Sequence, residues 1–182
     1  MAVKFKELQP QQIEFIEKQK LFFVGSAATD GLVNVSPKGL DCLRILGPQR
    51  LVWLNLTGSG NETAAHVLEN SRVTLMFCSF DKQPLILRIY GAAEVIYPRD
   101  ARWPELLSRF PHYTGARQIF DLNISLVQTS CGFAVPYFDF NGERDTLVNW
   151  ADKKGASGIK DYWLEKNRVS MDGKKTGIEE DA

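Results

Sequence analysis

The chain has 182 residues, 44% hydrophobic and 24% charged, which is the range of an ordinary globular domain long enough to bury a core. Its 22 basic residues balance 22 acidic ones, and no basic block or aromatic-basic repeat interrupts that balance, so nucleic acid is not an expected partner. No stretch approaches the roughly 18 apolar residues that span a bilayer, and the N-terminus lacks an apolar signal-peptide core, so a soluble cytoplasmic protein is expected.

In chain order, Pro10 at a first helical turn, with Ile13, Ile16 and Lys20 on one face, predicts a short amphipathic helix. Residues 21–28 and 32–36 read as strands around Asp30-Gly31, a hairpin signal. Ser36-Pro37-Lys38-Gly39 should stop the second strand: Pro37 removes a ladder donor and restricts Ser36, so Lys38 is expected on a turn. Leu43 to Leu46 has the composition of a short strand, and Gly47-Pro48 leads into the apolar strand 51–57. Thr57-Gly58-Ser59-Gly60-Asn61 then supplies small hydroxyl side chains and open backbone N–H groups, and Asn61 caps a helix over 62–70 whose N-terminus favours an anion. Taken alone the loop is equally well a plain strand-to-helix connection, because neither Walker nor Rossmann spacing is present.

Strands follow at 73–80 and 85–97, with Gly91 marking a bulge or bend of the kind that curls a sheet. Arg88 lies among apolar neighbours and requires a carboxylate, a carbonyl or an anionic ligand. Residues 100–120 read as two short helices separated by 111–115, and 123–129 as a last half-buried strand. In CGFAVPYFDF (131–140) core packing is the expected fate of Phe133, Tyr137 and Phe138, and Cys131 is expected to be a small buried hydrophobe. Helices over 145–154 and 159–166 break at Gly155 to Gly158, and the tail from Asn167 is polar and turn-rich. Three cysteines without Cys-x-x-Cys spacing and two histidines offer no disulfide framework and no metal site.

Six strands with turn signals and one long bent return strand predict a mainly β protein with peripheral helices, a small antiparallel barrel in a single domain (1–182). Within it, 13–130 is the barrel core, 131–166 a C-terminal helical extension and 167–182 a polar tail. The stretches GLVNVSPKG, VWLNLTGSGNETAAHVLENSRVTLMF and LILRIYGAAEVI resemble the pyridoxamine 5′-phosphate oxidase-like family of FMN-binding split barrels. SCGFAVPYF, GERDTLVNWADKKG and MDGKKTG are similar to an uncharacterised branch of that family and not to the oxidase proper.

The resemblance implies a six-stranded antiparallel split β-barrel with FMN at a homodimer interface. Its phosphate would be held by the basic turn after the second strand and by the strand-loop-helix unit. Lys38 matches the basic position, Thr57 the threonine that closes the strand, and Asn61 the serine that opens the helix. Ser59, Thr63 and Arg88 complete the candidate cofactor-binding set. The departures are specific. Asn61-Glu62-Thr63 replaces a basic Ser-Arg-Lys triplet, Val33 an arginine and Ile86 a glutamine, and the oxidase's substrate-binding tryptophan and arginine motif has no counterpart.

The leading reading is therefore an FMN-dependent oxidoreductase with an unknown small-molecule substrate, in which the flavin carries the electrons. No His, Cys or carboxylate stands in a spacing that names an acid or base, so no catalytic residue is assigned. The alternative is a non-catalytic dimeric binding or scaffold protein on the same barrel, flavin-free or holding haem or a deazaflavin. A homodimer is also suggested by the aromatic excess of Phe133, Tyr137, Phe138, Trp150 and Trp163.

Overall fold

The computed structural model describes residues 2–181. In chain order the elements are β1 (Val3–Phe5), α1 (Pro10–Lys18), β2 (Phe22–Ser26), β3 (Asn34–Lys38), β4 (Leu43–Gly47) and β5 (Arg50–Leu56). Then come α2 (Glu62–Glu69), β6 (Arg72–Cys78), β7 (Ile86–Ile96), α3 (Trp103–Leu107), β8 (Ala116–Ser130) and α4 (Thr146–Tyr162). A π-helical turn (Trp163–Asn167) and a 3-10 turn (Ile178–Glu180) end the chain. No helix of the described residues is long and apolar enough to cross a membrane.

All eight strands form one antiparallel sheet in the order β3-β2-β6-β7-β8-β5-β4, and β1 adds to β8 beside β5. The two ends of this path, β3 and β4, are consecutive in sequence. Laid flat, the sheet would hold them about 29 Å apart, six gaps of about 4.8 Å, whereas the link through 39–42 spans about 18 Å at most. The sheet must therefore curl until its edges approach, and no pairing joins them: the barrel is split between β3 and β4. The bend is built at Gly91. The β7–β8 register shifts between Tyr90 and Gly91, and a Cβ at Gly91 would stand 2.1 Å from the Asn123 carbonyl oxygen, which only glycine tolerates.

Inside the curl Trp53 stacks on Phe120 with ring centroids 4.7 Å apart, and Phe22 on Phe77 at 5.4 Å. Leu51, Leu75, Leu87, Ile89 and Leu122 fill the space between them, all fully buried.

Several expectations need correcting. The sheet has eight strands instead of six, because β1 and β4 join it. Residues 100–120 contain one short helix, α3, and 116–120 belong to β8: pairing with β5 from Leu56 to Arg50 overrides the helix-compatible composition of Ala116-Arg117-Gln118. The Asp30-Gly31 hairpin joins β2 and β3, but through a loop over 27–33. Pro37 does not end β3. It sits inside this edge strand, where its missing donor costs no ladder bond, and Lys38 is the last strand residue and not a turn residue. Phe133, Tyr137 and Phe138 are exposed, as is Cys131, because 131–145 runs over the surface without secondary structure. α4 bends at Gly155, whose φ is 67°, as the Gly155 to Gly158 break anticipates. The polar tail packs back on the barrel: Asn167, Thr176 and Ile178 have no exposed surface.

Candidate functional site

Two strand registers place the candidate residues. Lys38 pairs with Phe22, while Arg88 pairs with Met76 and Met76 with Phe23. Phe22 and Phe23 are adjacent in one strand and face opposite ways, so Lys38 and Arg88 lie on opposite faces of the sheet. Lys38 is on the face of buried Phe22 and Val24. Arg88 is on the outer face, where its guanidinium donates to the Ser130 hydroxyl at 3.2 Å. The structure therefore does not bring Arg88 to the Lys38 site.

Lys38 stands where the two edges of the barrel approach. It lines a cleft of about 320 Å³ with Phe22, Asp41, Cys42, Arg44 and Phe77. The link below it is held by Leu40 in the left-handed region (φ 62°), by the Cys42 thiol on the Gly39 carbonyl oxygen, and by Arg44 on both oxygens of Asp41. Asp41 is thereby consumed by Arg44. Lys38 itself has no ion pair or hydrogen bond among the described residues, and burial followed by the positive charge of Arg117 pushes its ammonium down to about 8. Burial also pushes the Cys42 thiol up to about 11, so it is a neutral neighbour and not a nucleophile.

Arg117 is the residue that sequence reasoning missed. It is 2% exposed, and its hydrogen bonds go to two neutral amide oxygens, Nη1 to Asn167 Oδ1 at 2.7 Å and Nε to Gln118 Oε1 at 3.0 Å. No carboxylate faces it among the described residues, and desolvation draws its guanidinium down to about 9. A buried cation without a counter-ion is costly, and two within mutual range are costlier.

The loop after β5 meets this cation through the C-terminal segment. Thr57 is buried, donates its hydroxyl to the Gly115 carbonyl oxygen at 2.9 Å and accepts the Trp163 indole N–H at 2.8 Å. Asn167 donates to the carbonyl oxygen of Gly58 at 3.1 Å, while Asn61 Nδ2 donates to the Asn167 carbonyl oxygen at 3.4 Å. Asn61 holds the N-cap position of α2 but makes no side-chain cap, and its Oδ1 is buried without a partner. Ser59 is exposed. Glu62, at the first helical position, turns to the tail and accepts the Met171 N–H at 2.9 Å. Thr63 looks elsewhere: its hydroxyl accepts from Asn34 at 3.2 Å and from Ser26 at 3.4 Å, beside His66. Asn34 is four residues from Lys38 along β3, about 13 Å. The structure thus gathers Thr57, Ser59 and Asn61 around Asn167 and Arg117, leaves Lys38 in the cleft at the split of the barrel, and sets Thr63 apart.

An antiparallel sheet rolled into a split barrel, with helices around it and Lys38 in the cleft where its edges approach, defines the class as a split-barrel protein of mainly β architecture. Sequence comparison is more specific: residues 8–131 match the pyridoxamine 5′-phosphate oxidase family, and the chain belongs to it. The chain is similar to the pyridoxamine 5′-phosphate oxidase family protein ustO of Aspergillus flavus, 39% identical over 151 residues covering 80% of this chain and 61% of that protein. Its fold is similar to that of a Lactobacillus delbrueckii protein named for pyridoxamine 5′-phosphate oxidase (TM-score 0.57, 23% identity, 69% of this chain and 97% of that one). It is also similar to that of HupZ from Group A Streptococcus (TM-score 0.54, 15% identity, 67% and 98%). Trp163 and Asn167, which cover the loop, lie beyond the matched family region.

Proposed function

We propose that the chain binds a flavin, specifically FMN, and acts as a homodimeric FMN-dependent oxidoreductase on a small molecule. The carrying observation is that Lys38 lines the cleft at the split of the barrel with no ion pair or hydrogen bond of its own among the described residues, while buried Arg117 has only amide oxygens as partners. A phosphate monoester brings about 1.5 to 2 negative charges, which is what these two cations lack. The first turn of α2, which has no side-chain cap, adds backbone N–H groups at the loop. Glu62 keeps its charge, with one carboxylate oxygen on the Met171 N–H and the other beside Gly60, so the phosphate is expected on the Lys38 side of the loop. Family membership supports the choice of flavin. When bound, the flavin would supply the electron transfer, and the chain's own residues hold its phosphate and exclude water from it.

Titrating the apo-protein with FMN and with riboflavin, followed by flavin fluorescence, tests this. FMN should bind more tightly than riboflavin, and Lys38→Glu should weaken FMN by about 2 to 4 kcal/mol while leaving riboflavin nearly unchanged. A wild type that binds neither flavin, or a preference for riboflavin that ignores Lys38→Glu, would favour a non-catalytic binding or scaffold protein using another ligand, such as haem or a deazaflavin.

A further inference from the structure

Residues 131–145 join β8 to α4 without secondary structure of their own. Connections longer than about 12 to 15 residues are uncommon in compact domains and are usually lids or binding loops. The path of this one is specific. Phe138 is anchored at the end of β6: its N–H donates to the Phe80 carbonyl oxygen at 3.1 Å, and the two rings lie 5.3 Å apart. Phe140 then stands against the Lys20 ammonium, which is 5.6 Å from its ring centroid. Glu143 passes beside Gly39, where an added Cβ would meet its carboxylate at 3.7 Å and the Lys20 carbonyl oxygen at 3.8 Å. Lys20 lines the cleft at the split of the barrel, and Gly39 stands between Lys38 and Leu40, which also line it. The segment therefore runs along one rim of that cleft. Hydrogen bonding resumes at Asp145, whose carbonyl oxygen accepts the Asn149 N–H at 2.9 Å. Between these anchors, residues 139–144 are exposed and make no hydrogen bond or ion pair among the described residues. Gly142, within this stretch, has φ 142°, a conformation that favours glycine, with nothing within 4 Å of its Cβ position.

We propose that residues 139–144 form a lid, with Gly142 as its hinge, that closes Phe140 onto a planar aromatic ring bound at the mouth of the cleft. The ring class follows from what the cleft offers. Its wall holds the stacked pair Phe22 and Phe77, and its rim carries Phe140, 55% exposed. Aromatic faces in the wall and on the rim suit a flat ring better than a puckered aliphatic one. At about 320 Å³ the cleft is at the lower end of the roughly 300 to 1,000 Å³ of small-molecule sites, which bury most of their ligand, and a lid supplies the missing cover. On closure Phe140 exchanges an exposed contact with Lys20 for a desolvated contact with the ligand. Phe133 and Tyr137 lie before the Phe138 anchor and take no part. The inference rests on the flavin reading only where the ring is the flavin's own, because a separate aromatic substrate presents the same chemistry.

Chymotrypsin cuts after exposed aromatic residues and so reads the lid in the intact protein. Cleavage after Phe138 and Phe140 is followed by mass spectrometry without ligand, with riboflavin, with 2-naphthol, and with 2-naphthol on top of FMN. The free protein should be cut there, and the ligand that closes the lid should slow the cut by about tenfold or more. Protection by riboflavin makes the ring the flavin's own. Protection by 2-naphthol, alone or only on top of FMN, makes it a separate substrate's, and its saturated decahydro counterpart should not protect. Phe140→Leu, at an exposed position, should leave the unfolding midpoint unchanged and speed dissociation of the protecting ligand by about fivefold or more. A free protein that is not cut in this segment, a rate unchanged by every ligand, equal protection by the saturated compound, or an unchanged dissociation rate in Phe140→Leu overturns the inference. Flavin binding seen by fluorescence alongside any of those results leaves the flavin reading standing. Protection by 2-naphthol in a chain that binds no flavin keeps the lid and removes the flavin reading.

Discussion

The indole N–H of Trp163 donates to the hydroxyl of Thr57 at 2.8 Å, with both side chains buried and 106 positions apart in sequence. The same hydroxyl donates onward to the Gly115 carbonyl oxygen, so one threonine ties the end of β5, the entry to β8 and the C-terminal segment together. Trp163→Phe should remove the donor and leave a small void, costing about 2 kcal/mol. Urea unfolding followed by circular dichroism measures this, and an unchanged midpoint would mean that the bond contributes nothing net.

The lowered pKa of Lys38 predicts a pH dependence of stability. Between about 8, its folded value, and 10.5, its ordinary value, the unfolded chain holds a proton that the folded chain has released. Stability therefore rises with pH through that window as the cost of a buried charge disappears, and the full cost is present below pH 8. Lys38→Met should be more stable than wild type at neutral pH by about 1 to 3 kcal/mol, with the difference shrinking as pH approaches 10. Denaturant titrations of both proteins across that range give the difference directly. A constant difference would show that Lys38 is not destabilised by burial. Ligand binding should run the opposite way, with FMN affinity falling above pH 8 as Lys38 loses its proton.

Gly91→Ala places a methyl 2.1 Å from the Asn123 carbonyl oxygen and 3.0 Å from a Leu122 methyl. Neither neighbour can retreat without breaking the β7–β8 ladder, so the substitution should cost about 3 kcal/mol or more. Gly47→Ala meets nothing within 4 Å and should be nearly neutral. Equal denaturation midpoints for the two would contradict the account of the bend.

Phe133, Tyr137 and Phe138 are 82%, 76% and 66% exposed on a segment without secondary structure. Each such ring can bury on the order of 150 to 250 Å², a large part of the roughly 800 Å² a stable interface takes from each partner. Combined Phe133→Ser and Phe138→Ser should convert the proposed dimer to a monomer in sedimentation at micromolar concentration. A monomeric wild type would remove this assignment.

Much of the barrel was legible because its signals are local. Gly91 announces the bend, Asp30-Gly31 the hairpin, Asn61 the start of α2 and Gly155 the break in α4. Arg117 was hidden because Ala116-Arg117-Gln118 has helix-compatible composition, and only its pairing with β5, more than 60 residues earlier, makes it a strand. The tail reads as polar and turn-rich from residues such as Asn167 and Thr176, which says nothing of whether they are buried. Their burial depends on Arg117, Gly58 and Tyr97, whose oxygen atoms and guanidinium lie 50 to 109 residues away. Phe133 and Phe138 were expected in the core because hydrophobicity does not say which surface an aromatic ring will meet.

The placement of β8 also bears on the order in which the chain can fold as it is synthesised. β5 has only the β4 hairpin until β8 arrives, and β1 has no partner at all before then. The first hundred residues therefore emerge from the ribosome with β1, β5 and β7 all lacking the strand that will cover them, and those edges stay open until the chain has been made to Ser130. A stall before that point would leave β5, with the buried face of Leu51 and Trp53, open on the side that β8 covers. Nascent chains cut short at about residue 115 should accordingly depend on chaperones in a way that chains past Ser130 do not.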